Sequence, residues 1–415
     1  MSKVAVIGGG GRLGLRISLI AANKGHNVTA IDLDEERINE IKQGNLPFIE
    51  NGAEIYLEQA LKKKTLTLTT EYEAVAKSNV VIITIGTPVD SNLNPSLEPV
   101  AGVIFDLAEY FKPNQLIIFR NTLSPGIINR IKTLIEDKTG FKVGKDIFLA
   151  FAPELTNDYP NIHELLKNPQ PIGTYEENSY LAAEEFFRTI TKGKLNNVSP
   201  EEALLAKLMK NMFTYIQNAT ANEFYLIAET YNANINKILE ASNTNENNIP
   251  TPSANSAGPG MHKEGWFLVD RLPFAELITT AFKINESMVS QVVQKLEAYK
   301  PNKVVILGMT NKADSDDPRS SLSYKLRKLL YYKNYEVGCY DPKLPEYSDS
   351  SVLQKADAVI LMTPHKEFAD LEKIKGLVKN PNCVFVDLNN FWEETKQSAV
   401  NGVLQTKSKQ AAKKK

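Results

Sequence analysis

The sequence predicts an α/β protein with two doubly wound parallel sheets joined by a helical middle segment. Three observations carry this. Short apolar runs alternate with helical periods from residue 3 to about residue 150, strand signals lapse between about residues 199 and 299, and the alternation returns at residue 303. Short buried strands separated by amphipathic helices fit βαβ units with helices on both faces of a sheet.

In order, Lys3–Gly8 (KVAVIG) is an apolar run ending in glycines, and Leu13–Lys24 has a helical period. Asn27–Asp32 (NVTAID), the helix-like Asp34–Gln43, Val80–Ile85 (VVIITI), Gln115–Phe119 (QLIIF) and Asp146–Ala150 (DIFLA) continue the alternation. At Ser199–Glu202 (SPEE) a serine cap, a proline at the first helical position and acids in the first turn mark the start of a helix, whose period runs towards Ala241. Asn243–Gly260 (NTNENNIPTPSANSAGPG) is rich in Asn, Pro, Ser and Gly and reads as a loop, and long loops often carry function. Leu277–Tyr299 is helical, Pro301–Asn302 punctuates, and Lys303–Gly308, Tyr335–Asp341, Ala358–Thr363 and Cys383–Asp387 are strands. The expected domains are 1–196, 197–300 and 301–402, followed over 403–415 by a lysine-rich tail expected to be disordered.

Composition narrows the function. The 415 residues carry 48 basic and 49 acidic side chains, so no global charge draws the chain to nucleic acid or an anionic membrane. No run approaches the ~20 apolar residues of a spanning helix. Met1–Ser2–Lys3 leads directly into a strand, which points to a soluble, cytoplasmic protein. Cys339 and Cys383 are too few for a disulfide framework or zinc cluster, and the histidines His26, His163, His262 and His365 lack ligand spacing, so no metal is expected.

Gly9, Gly11 and Gly14 form a GxGxxG between the first strand and first helix, with Arg12 and Leu13 opening that helix. Gly8 extends the run and leaves the register open by one residue. Glycines here permit a tight turn and let backbone N–H groups approach a pyrophosphate, while the helix N-terminus favours its charge. Asp32 ends the next strand, where a carboxylate can accept from a ribose diol and repels a 2′-phosphate. The pattern predicts a Rossmann-like domain binding NAD in preference to NADP.

From this loop to about Phe391 the chain resembles the UDP-glucose/GDP-mannose dehydrogenase family, particularly its UDP-N-acetylmannosamine dehydrogenase-like branch. The motifs, in order, are Ile85–Asp90 (IGTPVD), Asn121–Gly126 (NTLSPG), Ala152–Glu154 (APE), Lys207–Asn211 (KLMKN), Asn222–Glu223, Leu277–Met288 (LITTAFKINESM) and Lys312–Ser320 (KADSDDPRS). The resemblance implies two Rossmann-like domains around a helical dimerisation segment, a homodimer, and NAD-dependent oxidation of a UDP- or GDP-linked sugar. On matching positions it implies Thr122 and Asn211 near the reacting oxygen, Lys207 as a cation beside developing negative charge, Glu154 as acid/base for a later hydrolysis, and Asp270 as a further catalytic residue. It implies Arg37, Thr87, Pro88 and Thr122 at the cofactor. At the sugar nucleotide it implies Glu154, Leu155, Lys207, Asn211, Gly260, Trp266, Lys312 and Arg319. An ammonium, a hydroxyl and an amide suit this chemistry, since they can stabilise an alkoxide-like oxygen or relay its proton. Leu204 departs from the acid usual in the family three positions before its lysine.

In the family, the second oxidation passes through a cysteine in a GPGxGGHCxPxD-like loop. Here Gly258–Asp270 reads GPGMHKEGWFLVD, without cysteine. Aligned from the front, His262 matches the family histidine and Lys263 takes the cysteine position. Aligned from the back, Trp266 takes it, with the spacing to Asp270 kept. Cys339 and Cys383 sit in predicted strands, as buried small hydrophobes do. Without a thiolate no thioester forms. The expectation is a two-electron oxidation of a sugar hydroxyl, or epimerisation through a keto intermediate. The alternatives are a four-electron oxidation by another nucleophile and a silent nucleotide-sugar-binding subunit.

Overall fold

A computed structural model describes residues 1–90, 94–155, 162–256, 258–269, 272, 274–392 and 403–405. The chain forms two compact units, Met1–Asn211 with Lys263–Pro273, and Met212–His262 with Phe274–Lys415. The expected helical middle contributes to both units.

The first unit carries strands β1 (Lys3–Ile7), β2 (Asn27–Ile31), β3 (Leu66–Thr69), β4 (Val80–Ile83), β5 (Leu116–Phe119), β6 (Phe148–Phe151), β7 (Gln170–Gly173) and β8 (Leu195–Val198). They lie in the order β3-β2-β1-β4-β5-β6-β7-β8. Neighbours are parallel except β6 and β7, so the expected parallel sheet carries one antiparallel pairing. Helices α1 (Arg12–Asn23), α2 (Glu35–Lys42), α3 (Ala53–Lys62), α4 (Glu98–Leu107), α5 (Ile128–Thr139) and α6 (Glu177–Ile190) connect the strands. Strand side chains alternate between faces. Val4 and Val6 therefore pack with Leu15, Leu57 and Phe187, whereas Ala5 and Ile7 pack with Val100, Ile104 and Ile131. Burying each such aliphatic contributes about 1.5–3 kcal/mol.

Helix α7 (Pro200–Thr230) starts where the sequence places it. Glu202 N donates to Ser199 Oγ at 3.2 Å and Ser199 N donates to Glu202 Oε2 at 2.7 Å, a reciprocal capping box. These contacts hold the Glu202 carboxyl below its ordinary range. Leu204 is buried in the core beneath Val100 and Ile104, which is why an apolar residue suits the position.

The second unit continues with α8 (Ile235–Ser242), receives the first turn of α9 (Pro259–Val269), and adds α10 (Glu276–Glu297). Its sheet, built from β9 (Lys303–Leu307), β10 (Glu336–Tyr340), β11 (Ala358–Leu361), β12 (Val384–Asp387) and β13 (Val403–Gln405), has the order β10-β9-β11-β12-β13. Strand β13 runs antiparallel to β12 and lies within the segment expected as tail; residues 406–415 fall outside the described residues. Helices α11 (Leu322–Tyr332) and α12 (Leu371–Leu377) connect the strands.

Buried amides tie the long loop to this unit. Asn255 Nδ2 donates to Thr310 O, Ser321 Oγ and Thr363 Oγ1 at 2.9–3.1 Å, and its Oδ1 accepts from Leu322 N at 2.9 Å. Asn222 donates to Asn285 Oδ1 at 2.9 Å and accepts from Ser253 N at 2.8 Å. Asn222 and Asn285 are fully buried, so two family motifs meet as a structural clamp.

Candidate active site

The chain leaves β1 through Gly8–Gly11 and enters α1. Gly8 has φ +75°, and a Cβ added at Gly14 would sit 2.1 Å from the Gly8 carbonyl oxygen, so only glycine lets α1 pack this close to the strand end. Gly9 is equally confined, its added Cβ lying 2.7 Å from Ala30 Cβ. Gly11 is the N-cap of α1, no side chain caps this helix end, and no acid occupies its first turn. The backbone N–H groups around Arg12 and Leu13 are thus arranged to receive an anion. Arg12 lies over the Phe48 ring at 4.7 Å.

Asp32 follows β2 with its side chain 13% exposed. Its Oδ2 accepts from Gly10 N at 3.0 Å and its Oδ1 from Asp34 N at 3.2 Å. Arg37 pairs with Asp34 at 3.0 Å and stands 4.0 Å from Asp32. An uncapped helix end behind a glycine cradle, with a carboxylate at the next strand end, fits a dinucleotide: pyrophosphate on α1, ribose on Asp32.

Thr122 follows β5, and its carbonyl accepts from the buried Thr87 hydroxyl. Pro88, beside it, is exposed. Lys263 Nζ donates to Thr87 O at 2.6 Å, so this lysine is tied to the loop after β4. Thr122, Glu154 and Lys207 line a cavity of about 180 Å³ with Arg12, Leu13, Arg16 and Arg120. The cofactor loop and three expected reacting groups therefore open into one space.

Glu154, just past β6, is 4% exposed and paired with Arg16, with Arg120 Nη2 at 3.9 Å. Arg16 also holds the buried Glu50 at 2.7 Å. Burial alone would lower the Arg16 guanidinium, but Glu154 and Glu50 outweigh it and raise it. Burial pushes Arg120 down, with Glu154 only partly opposing. Neither arginine belongs to a sequence motif; Arg16 lies in the second turn of α1 and Arg120 just past β5, and only the folded sheet brings them beside Glu154. Leu155 O accepts from Asn168 Nδ2 at 2.6 Å.

Asn211 lies one helical turn after Lys207 on α7, and its Nδ2 donates to Glu264 Oε2 at 2.7 Å. Glu264 Oε1 is 3.5 Å from Thr122 Oγ1, and the residue is 2% exposed. Sequence reasoning missed Glu264 because Gly258–Asp270 was expected to be a loop. Pro259–Val269 is instead helix α9, with proline at its first position, where its missing N–H costs nothing. On a helix, Trp266 lies about 200° around the axis from Glu264. Glu264 is a residue of this segment that meets Thr122 and Asn211. Gly260 is in the first turn of α9. Asp270 lies outside the described residues, as do the side chains of Pro259 and His262.

In the second unit Lys312 O accepts from Thr310 Oγ1 at 3.1 Å. Arg319 is 60% exposed and held in a two-point contact by Asp317, at 2.8 and 2.7 Å, which raises its pKa. Asp314, His365 and Glu367 lie close enough to share an ion, but both His365 ring nitrogens are engaged, Nδ1 by Asp314 N and Nε2 by Thr310 and Asp341. Among the described residues no helix is long and apolar enough to cross a membrane.

Three family models match the chain. They are the NAD binding domain of the UDP-glucose/GDP-mannose dehydrogenase family over residues 2–191, its central domain over 201–287 and its UDP binding domain over 305–394. The chain is 31% identical to a UDP-N-acetyl-D-mannosamine dehydrogenase of Pyrococcus horikoshii, over 88% of this chain and 90% of the relative. It is 30% identical to another from Methanocaldococcus jannaschii, over 94% of each. Among solved structures, the UDP-D-ManNAc dehydrogenase of Pyrococcus horikoshii matches with a TM-score of 0.87 at 30% identity, covering 94% of this chain and 96% of that one. The UDP-N-acetyl-mannosamine dehydrogenase of Staphylococcus aureus matches with a TM-score of 0.81 at 27% identity, covering 94% and 95%.

Proposed function

The chain belongs to the UDP-glucose/GDP-mannose dehydrogenase family of NAD-dependent oxidoreductases, and we propose that it oxidises a hydroxyl of a UDP-linked sugar by two electrons. The observation that carries this is the cavity shared by Arg12 and Leu13, at the start of the helix that follows the glycine loop, and by Thr122, Glu154 and Lys207. NAD, when bound, supplies the hydride acceptor. Thr122 and Asn211 hold the reacting oxygen, and the Lys207 ammonium stabilises the charge that develops on it. Glu154, paired with Arg16 and with Arg120 Nη2 at 3.9 Å, accepts a hydrogen bond from a sugar hydroxyl. Lys312 and Arg319 contact the nucleotide part. The relatives make UDP-N-acetylmannosamine the first substrate to try.

The limit to two electrons rests on thiol chemistry. Gly258–Asp270 has no cysteine. Burial pushes the Cys383 thiol up to about 12 and also raises Cys339, so neither supplies a ready thiolate. A homodimer is part of the reading, supported by exposed Met209, Phe213, Phe224 and Ile227 along α7; light scattering at about twice the chain mass tests it. The test of function follows NADH per sugar consumed with NAD and a panel of UDP- and GDP-sugars, alongside product mass. One NADH and a product two mass units lighter is the expected result. Two NADH and a carboxylate overturn the two-electron limit. An isomer without NADH marks an epimerase, and tight binding without product marks a silent subunit.

A further inference from the structure

We propose that Glu264 is the base that takes the proton of the sugar hydroxyl as it is oxidised, an assignment that rests on the dehydrogenase reading above. Loss of hydride from a carbinol leaves a hydroxyl proton that must go to a group within hydrogen-bond reach. The groups around the reacting oxygen divide sharply in their ability to accept it. A lysine ammonium has no lone pair, an asparagine amide is neutral, and a threonine hydroxyl is a weak base. Glu154 is paired with Arg16 and has Arg120 Nη2 at 3.9 Å, and two neighbouring cations make a carboxylate a weaker base.

Among the described residues beside Thr122 and Asn211, Glu264 is the other carboxylate. It is 2% exposed, accepts from Asn211 Nδ2 at 2.7 Å through Oε2, and directs Oε1 to within 3.5 Å of Thr122 Oγ1. Among the described residues these neutral groups are its hydrogen-bonding partners, and no counter-ion holds it. A hydroxyl positioned by Thr122 and Asn211 is thereby placed against Oε1. The segment that the family resemblance assigns to a thiol presents a carboxylate here.

The step balances. The O–H bond breaks and its proton moves to Glu264, while the carbinol C–H bond gives its hydrogen and electron pair to NAD. A C=O bond forms, the sugar is oxidised by two electrons, NAD is reduced to NADH, and Glu264 returns its proton to water.

The test compares the wild type with Glu264→Gln, Glu264→Asp and Glu264→Ala in the full chain, using NAD with UDP-N-acetylmannosamine and the other UDP-sugars. Glu264→Gln is expected to lower kcat by about 10²–10³-fold. Its KM for sugar, and NAD and UDP binding measured by calorimetry without turnover, should stay within threefold. Glu264→Asp should recover part of the loss, and added formate should restore activity to Glu264→Ala. Glu264→Gln turning over within threefold of the wild type overturns the assignment. So does a loss that neither Glu264→Asp nor formate repairs and that falls on NAD binding or melting temperature, because that pattern marks a packing role. A wild type that makes neither NADH nor product with any UDP-sugar overturns the dehydrogenase reading and this assignment with it. A wild type that turns over beside an equally active Glu264→Gln overturns this assignment alone.

Discussion

Asp32 follows β2 and Asp341 follows β10, the strands lying beside β1 and β9, and each carboxylate accepts N–H groups from the turn that leaves that first strand. Gly10 N reaches Asp32 Oδ2 at 3.0 Å; Met309 N and Thr310 N reach Asp341 Oδ2 at 2.7 and 3.1 Å. The two βαβ units share this backbone device and then diverge. In the first, four glycines leave the turn without side chains and Asp32 stays partly exposed. In the second, one glycine with φ +85° is followed by the buried Met309, Thr310 and Asn311, and Asp341 is fully buried against His365 at 3.1 Å. The same carboxylate stays open to solvent in one sheet and serves the interior of the protein in the other. What separates them is whether backbone or side chain occupies the space beyond the strand end.

Gly14→Ala breaks the first arrangement outright. Its Cβ meets the Gly8 carbonyl at 2.1 Å, α1 must move off the sheet, and NAD affinity measured by calorimetry should fall about a hundredfold, close to 3 kcal/mol. Asp341→Asn attacks the second. It should remove about 2 kcal/mol from the stability of the C-terminal unit and leave NAD affinity unchanged. Burial works against the Asp341 carboxylate, but the contact with His365 and the N–H donors outweigh it and hold its pKa below the ordinary carboxylate range. A depressed folded-state pKa gives stability that is present above about pH 4 and lost as pH falls further. The melting difference between wild type and Asp341→Asn should therefore shrink as pH falls below about 4.

Asp32→Asn should weaken NAD binding about tenfold and narrow the preference over NADP without changing the melt, the reverse of Asp341→Asn. Smaller still is Ser199→Ala, which removes half of the capping box and should cost about 1 kcal/mol in denaturant unfolding. At the bottom of the scale, iodoacetamide on the native protein should leave Cys383 unmodified and NADH formation unchanged, since that buried thiol is pushed up to about 12.

The glycine loop was readable because it is local: a turn, a helix start and a carboxylate one strand later all lie within residues 8–32. The capping box at Ser199–Glu202 was readable for the same reason. Apolar runs disclosed most strands, but short β3, β7, β8 and β13 carry weak patterns. The antiparallel pairing of β6 with β7 leaves no local mark, because pairing direction is set by the connection and not by the strand itself.

Sequence alone determined the βαβ order, the family and the dinucleotide end, each of which depends on residues close together in the chain. Only tertiary structure decided what stands around Glu154 and Thr122. Arg16 and Arg120 reach Glu154 across 138 and 34 positions of chain, and Glu264 meets Thr122 across 142. Glu264 lies on helix α9, in a segment expected to be a loop. A loop alignment counts positions, whereas a helix turns each side chain by about 100°, so Glu264 could come to Thr122 and Asn211 only after that segment had coiled.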